Sequence, residues 1–224
     1  MVLKKIQCWI SPLIQDTATE PPSDTTDKPT LSDTAIEPIS GTPVNPSSDA
    51  AIEPIYWVNG LAGIRKSTIA HTVAEDAKSC KLLGASFFFS HQEKELSDLH
   101  LFIPTIVYQL TQSYPEVKSA IIKVLWWDPG IVTKSFMTQF NDLIVEPLCK
   151  VTSKPVVIVI NALDECNNSK GAANRLFHAI VAHCAKAPSL CLLVTSWPKT
   201  YIRAVMNHAG LCHTSHPSRF CDTF

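Results

Sequence analysis

The chain has 224 residues, of which 46% are hydrophobic and 17% charged, with a formal net charge of −1. This length suits one or one and a half globular domains, and the lack of a basic surplus argues against nucleic acid or an anionic membrane as partner. No apolar run reaches the roughly 18 residues of a membrane-spanning helix. The eight cysteines include no C-x-x-C pair, which is typical of reduced thiols and predicts a cytoplasmic protein.

The first 54 residues differ in composition from the rest of the chain. Residues 16–54 contain eight acidic residues, seven prolines and a single lysine. Three related stretches recur there, DTATEPPS, DTAIEPIS and DAAIEPIY, each shorter than the roughly 20 residues of a solenoid repeat. Such a segment buries too little apolar surface to order itself. We therefore interpret residues 1–54 as a disordered, acidic, Pro/Thr-rich repeat linker.

From residue 55 onward, strand and helix patterns alternate. The predicted strands are 55–58, 84–89, 156–160 and 190–194, and the predicted helices are 66–80, 99–112, 115–127, 134–150 and 171–186. Five branched apolar residues in a row, VVIVI at 156–160, are typical of a parallel strand buried on both faces. The alternation predicts an α/β fold, with a parallel sheet between two layers of helices.

The segment GLAGIRKST at 60–68 nearly matches the phosphate-loop motif G-x-x-x-x-G-K-[ST], with Arg65 in place of the last glycine. It lies between a predicted strand and an amphipathic helix, as a phosphate loop does. In such a loop Lys66 reaches the β- and γ-phosphates and the Ser67 hydroxyl holds Mg²⁺. The alternative is a solvent loop in which Ser67 caps the helix. The candidate nucleotide-binding residues are Gly60, Ala62, Gly63, Ile64, Arg65, Lys66, Ser67 and Thr68.

A nucleotide site also needs an acidic residue at the end of a neighbouring strand. Here VVIVI runs into NALDEC, so that Asn161 follows the strand and Asp164 and Glu165 come three and four residues later. We expect Ser67 and Asn161 to be the metal-binding positions. Asp164 and Glu165 are the candidate catalytic residues, which would orient or deprotonate an attacking water. The alternative for these two carboxylates is a cap of the following helix.

Six segments occur in order with natural spacing: WVNGLAGIRKSTIAHTVAEDA, LGASFFFS, LFIPTIVYQL, LIVEPL, VVIVINALDEC and LLVTSWP. Together they resemble the NACHT NTPase domain of fungal NOD-like receptor (STAND) proteins, of the nephrocystin-like N-terminal type, over residues 55–204. The resemblance implies a phosphate-loop NTPase core that takes ATP or GTP with Mg²⁺. It further implies a role in signalling or self/non-self recognition. The partners it implies are full-length NACHT relatives or a second copy of the chain.

Three residues depart from the family at positions that carry its chemistry. Arg65 replaces the last Walker A glycine, Asn161 replaces the first Walker B aspartate, and Trp197 replaces the arginine of the sensor motif TSRP, here TSWP at 195–198. Trp197 is thereby also a candidate nucleotide contact. A left-handed conformation at Arg65 would cost about 1–2 kcal/mol, Asn161 is a poorer anchor for Mg²⁺ than a carboxylate, and Trp197 supplies no cation to the γ-phosphate. These changes predict weak or absent hydrolysis, and weak or absent nucleotide binding as well.

Two interpretations therefore stay open. The first is a NACHT-type nucleotide-binding module with degenerate Walker A, Walker B and sensor motifs. The second is a catalytically silent NACHT-like fragment, which acts only as an interaction or decoy partner or is a decaying gene product.

The resemblance also implies a fifth strand beyond the first one and a helical lid over the base. The residues after Thr200 have no clear periodicity. We therefore expect a C-terminally truncated core without a lid, an exposed edge of the sheet, and an unstructured tail at 205–224.

Overall fold

The computed structural model describes residues 54–152, 154–166, 171–184, 186–208 and 213–215. The predicted linker, apart from Pro54, lies outside these residues, as does most of the predicted tail. Within the described part of the chain, no helix is long and apolar enough to cross a membrane.

Five strands form one sheet in the order β2-β3-β4-β1-β5, and all neighbouring strands are parallel. The strands are β1 (Ile55–Asn59), β2 (Leu83–Phe88), β3 (Val156–Asn161), β4 (Leu190–Ser196) and β5 (His213–Ser215). The four predicted strands are thus confirmed, with ends that differ by one or two residues. Because all strands run in the same direction, their carboxyl ends meet along one side of the sheet, which we call the carboxyl edge.

Eight α-helices surround the sheet in the described residues. They are α1 (Lys66–Ser79), α2 (Lys94–Ser97), α3 (Phe102–Ser113), α4 (Pro115–Trp127), α5 (Phe136–Phe140), α6 (Glu146–Val151), α7 (Ala172–Cys184) and α8 (Thr200–His208). The predicted helix 134–150 is instead two helices joined by a widened π-helical segment, Asn141–Val145. Pro147, in the first turn of α6, explains this widening, because a proline ring clashes with the carbonyl four residues earlier.

Alternate residues of each strand enter two separate cores. On one face, α1 contributes Ala70, Val73 and Ala77 to a small core with Val157 and Val159 of β3. On the other face, the remaining large helices bury a larger core. That core includes Ile158, Ile160, Leu192, Phe102, Ile106, Phe140, Leu148, Phe177 and Ile180. The period of two along the strands places apolar side chains on both faces, and the prediction of helices on both sides of the sheet is confirmed.

At residues 205–208 and 213–215, the part of the predicted unstructured tail that the structure describes, a helix end and a fifth strand replace the expected unstructured chain. Helix α8 extends through His208, and β5 pairs with β1 in a register from Trp57↔His213 to Asn59↔Ser215. A strand of three residues is too short to show periodicity, and its ladder bonds to β1 define it. The edge of β1 that we expected to be exposed is paired at these positions.

Gly84 of β2 lies close to side chains of α3 and β3. A Cβ atom on Gly84 would be 2.5 Å from Val156 Cγ1 and 2.9 Å from Leu110 Cδ2. We therefore expect Gly84→Ala to lower the free energy of unfolding by about 1–3 kcal/mol, because buried neighbours must shift. The measurement is the midpoint of urea unfolding. Gly130→Ala is the matched control, since the nearest atom to its Cβ would be Asp128 Oδ1 at 3.7 Å. Equal losses in the two variants would contradict this account.

Candidate functional site

The loop at 60–65 turns the chain from the end of β1 into α1, at the carboxyl edge of the sheet. The residue that precedes α1 is Arg65, whose side chain makes no capping hydrogen bond, and the first turn of α1 contains no acidic residue. Ser67 lies inside the helix as its second residue, so the alternative in which Ser67 caps α1 does not hold. A helix N-terminus without a side-chain cap presents N–H groups and a partial positive charge to an anion.

Arg65 adopts a left-handed backbone conformation, in which we expect a residue with a side chain to be strained. Its φ is 60° and its ψ is 33°, and its side chain is exposed. Gly63 in the same loop has a φ of 82°. The loop therefore keeps a shape suited to glycine at both positions, and Arg65 carries the cost of about 1–2 kcal/mol. The backbone tolerates the substitution because the long side chain extends into solvent.

The ammonium of Lys66 lies over the loop. Lys66 Nζ donates hydrogen bonds to the carbonyl oxygens of Gly60, at 2.8 Å, and Leu61, at 2.9 Å. Partial burial lowers the pKa of Lys66, while the negative charges of Asp164 and Glu165 act in the opposite direction. The structure thus brings Lys66 within electrostatic range of both predicted catalytic carboxylates.

A chain of hydrogen bonds joins the start of α1 to β3 and β4. Asn161 Nδ2 donates to Ser67 Oγ at 3.2 Å, and Thr195 Oγ1 donates to Asn161 Oδ1 at 2.8 Å. The backbone N–H of Ala162 in turn donates to Thr195 Oγ1 at 2.9 Å. Both ends of the buried Asn161 amide are therefore paired. The two predicted metal positions, Ser67 and Asn161, are in direct contact with each other.

Asp164 and Glu165 lie in a short 3₁₀ turn just after β3. Asp164 is buried, and its Oδ1 accepts a hydrogen bond from the backbone N–H of Trp197 at 2.9 Å. Glu165 Oε2 accepts a hydrogen bond from the backbone N–H of His91 at 3.2 Å. These bonds run to the segments that follow β4 and β2, so both carboxylates cross-link the carboxyl edge. The alternative, in which these two carboxylates cap the following helix, did not predict these bonds.

Trp197 follows β4 and lies with its side chain 43% exposed. Two residues later, Lys199 Nζ donates to the carbonyl oxygen of Asp164 at 2.8 Å. The residues that follow β4 therefore contribute a backbone donor and a lysine to the site. The resemblance implies an arginine there instead.

Sequence reasoning missed Thr195, His91 and Lys199. A signal for Thr195 was available, because it is a polar residue that directly follows the apolar run LCLLV at a predicted strand end. The pairing of Ile160 with Val194 brings Asn161 and Thr195 to the same level of the sheet. No comparable signal marks His91, which takes part through its backbone.

Positive groups at the carboxyl edge favour an anion. The uncapped N-terminus of α1 and the ammonium of Lys66 both favour negative charge. Among the residues that the structure describes, no three or more His, Cys, Asp or Glu side chains are grouped so that they could hold a metal ion.

A protein-family model described as the N-terminal region of nephrocystin 3 matches residues 45–197. The match covers more than half of the chain and runs from the predicted linker, through the loop at 60–65 and β3, to Trp197. No curated protein matches the chain.

The left-handed residue before α1 gives a stability test. We expect Arg65→Gly to raise the free energy of unfolding by about 1 kcal/mol, because glycine adopts this conformation without strain. Lys81, with a φ of 58°, is the matched position elsewhere, and Lys81→Gly should give a similar gain. Lys78→Gly, inside α1, should instead cost about 1 kcal/mol. Urea unfolding of the three variants checks this, and a loss of stability in Arg65→Gly would contradict it.

Proposed function

Because the chain belongs to the nephrocystin 3 N-terminal family, we propose that residues 55–204 form a NACHT-type nucleotide-binding module of an intracellular signalling protein. The ligand is ATP or GTP, with its phosphates at the loop between β1 and α1. The biological setting that we propose is a NOD-like receptor system for signalling or self/non-self recognition. The single observation that carries the proposal is the position of Lys66, with its ammonium over the loop and beside an uncapped helix N-terminus.

The carbonyl oxygens that now accept from Lys66 Nζ belong to the loop itself. A lysine held in this way remains a point charge with three donors and can exchange one loop carbonyl for a phosphate oxygen. The first N–H groups of α1 point in the direction of the same anion. Together these groups supply the attraction that a loop of this type needs for β- and γ-phosphates.

The proposed module binds nucleotide and turns it over weakly or not at all. Trp197 offers no positive charge to a γ-phosphate, and charge at that point is a large part of phosphoryl-transfer catalysis. Such a module would respond to which nucleotide is present rather than act as an efficient enzyme.

Lys66→Ala tests the proposal directly. We expect it to weaken binding of fluorescent ATP and GTP analogues by about tenfold or more, because a charge-assisted contact to phosphate is lost. Lys78→Ala is the matched control, since Lys78 is an exposed lysine in the last turn of the same helix. Fluorescence anisotropy measures both affinities. No binding by the unmodified chain, or equal losses in the two variants, would contradict the proposal.

A second candidate function is that of an interaction module, in line with the silent interpretation of the sequence. One face of α4 exposes three apolar side chains: Ile122 is 52% exposed, Leu125 is 37% exposed and Trp126 is 80% exposed. Their spacing of three and four residues places them together on the helix surface. Exposed apolar groups of this kind, and tryptophan above all, are typical of protein–protein contacts. The partner that we propose for this face is a second copy of the same fold.

If α4 mediates self-association, Trp126→Gln should weaken the dimer by about tenfold or more, because tryptophans at the centre of an interface contribute most of the binding energy. Sedimentation equilibrium over a range of concentrations measures the effect. Met137→Gln, at a 43% exposed apolar residue of α5, is the control. A chain that stays monomeric at every concentration would exclude this second function.

A further inference from the structure

The amide of Asn161 has a defined orientation in the buried hydrogen-bond chain. The backbone N–H of Ala162 can only donate, so Thr195 Oγ1 accepts from it. The one hydrogen of the Thr195 hydroxyl is then donated to Asn161 Oδ1, at 2.8 Å. Thr195 is fully buried, and a reversed amide would leave that hydrogen without this acceptor. Asn161 therefore presents its NH₂ group to Ser67 Oγ, at 3.2 Å.

This orientation is unfavourable for Mg²⁺. In a phosphate loop the serine hydroxyl oxygen is a ligand of the metal. Here the Asn161 N–H already uses one lone pair of that oxygen. The amide hydrogens carry partial positive charge at the point where water molecules around a metal would need acceptors. Hard divalent cations bind carboxylate and carbonyl oxygens, and Asn161 directs its only side-chain oxygen away, toward Thr195.

A backbone N–H holds each of the two neighbouring carboxylates in place. Asp164 Oδ1 is bound to the Trp197 N–H and Glu165 Oε2 to the His91 N–H. Within the described residues, no grouping of three or more acidic, histidine or cysteine side chains could hold a metal ion. Positive charge comes from the protein, in the Lys66 ammonium over the loop and the uncapped N-terminus of α1.

From this arrangement we propose that the site binds the phosphates of its nucleotide without a divalent cation. Lys66 and the N-terminus of α1 supply the positive charge that Mg²⁺ would otherwise bring. Asn161 is the residue that determines this property, since its amide occupies the place of a metal-supporting carboxylate. The inference rests on the proposed nucleotide binding. It specifies that the nucleotide is bound as the free anion and not as its Mg²⁺ complex.

The test compares nucleotide affinity in Mg²⁺ with affinity in EDTA. We expect the unmodified chain to bind a fluorescent ATP analogue about equally in both. Asn161→Asp should bind about tenfold more tightly in Mg²⁺ than in EDTA, because a carboxylate favours the metal and repels bare phosphate. The carboxylate fits the site, since the hydroxyls of Ser67 and Thr195 can both turn to donate to it. Gln112→Glu, the same chemical change at an exposed position of α3, should show no difference.

Ser67→Ala provides a second variant that leaves Asn161 in place. Without a bound metal, the Ser67 hydroxyl has no cation to hold, and we expect its loss to leave the Mg²⁺/EDTA ratio near one. Binding by the unmodified chain that requires Mg²⁺ would overturn the inference and leave the proposed function intact. A failure to bind nucleotide in both Mg²⁺ and EDTA would overturn both.

Discussion

Parallel pairing of β3, β4 and β1 is the constraint on which the candidate site depends. Because neighbouring strands run in one direction, the residues that follow each strand meet at the same edge. The loop after β1, Asn161 at the end of β3, and Trp197 after β4 are thereby brought together from distant parts of the sequence. The pairing itself depends on strands that are apolar on both faces, with α1 covering one core and the other large helices covering the second.

The sequence predicted well those strands and helices whose burial or ends can be recognised from their own residues. VVIVI and LCLLV are continuous apolar runs, and Pro115 opens α4 where a proline is tolerated. The elements that it did not predict depend on partners elsewhere in the fold. Strand β5 is defined by its bonds to β1. The π-helical segment Asn141–Val145 results from Pro147, which follows it.

The same distinction holds for the site. Motif spacing made Lys66, Ser67 and Asn161 candidate site residues, because a loop motif and the end of a buried strand are recognisable locally. It could not show that Asn161 bonds directly to Ser67, or that Thr195 orients the amide, since those contacts join residues 94 and 34 positions apart. The predicted strain at Arg65 depended on whether this residue is left-handed, and its φ of 60° in the structure shows that it is.

The neutral amide of Asn161 and the positive groups at the start of α1 are electrostatically compatible with each other. A buried carboxylate without a cation beside it is costly, whereas a buried amide with both ends hydrogen-bonded is not. Asn161 is such an amide, which makes it suited to a loop without Mg²⁺. In the metal-free site that we propose, the Lys66 ammonium and the uncapped N-terminus of α1 offset the phosphate charge. The Asn161 amide and these positive groups are thus two parts of one proposed electrostatic arrangement.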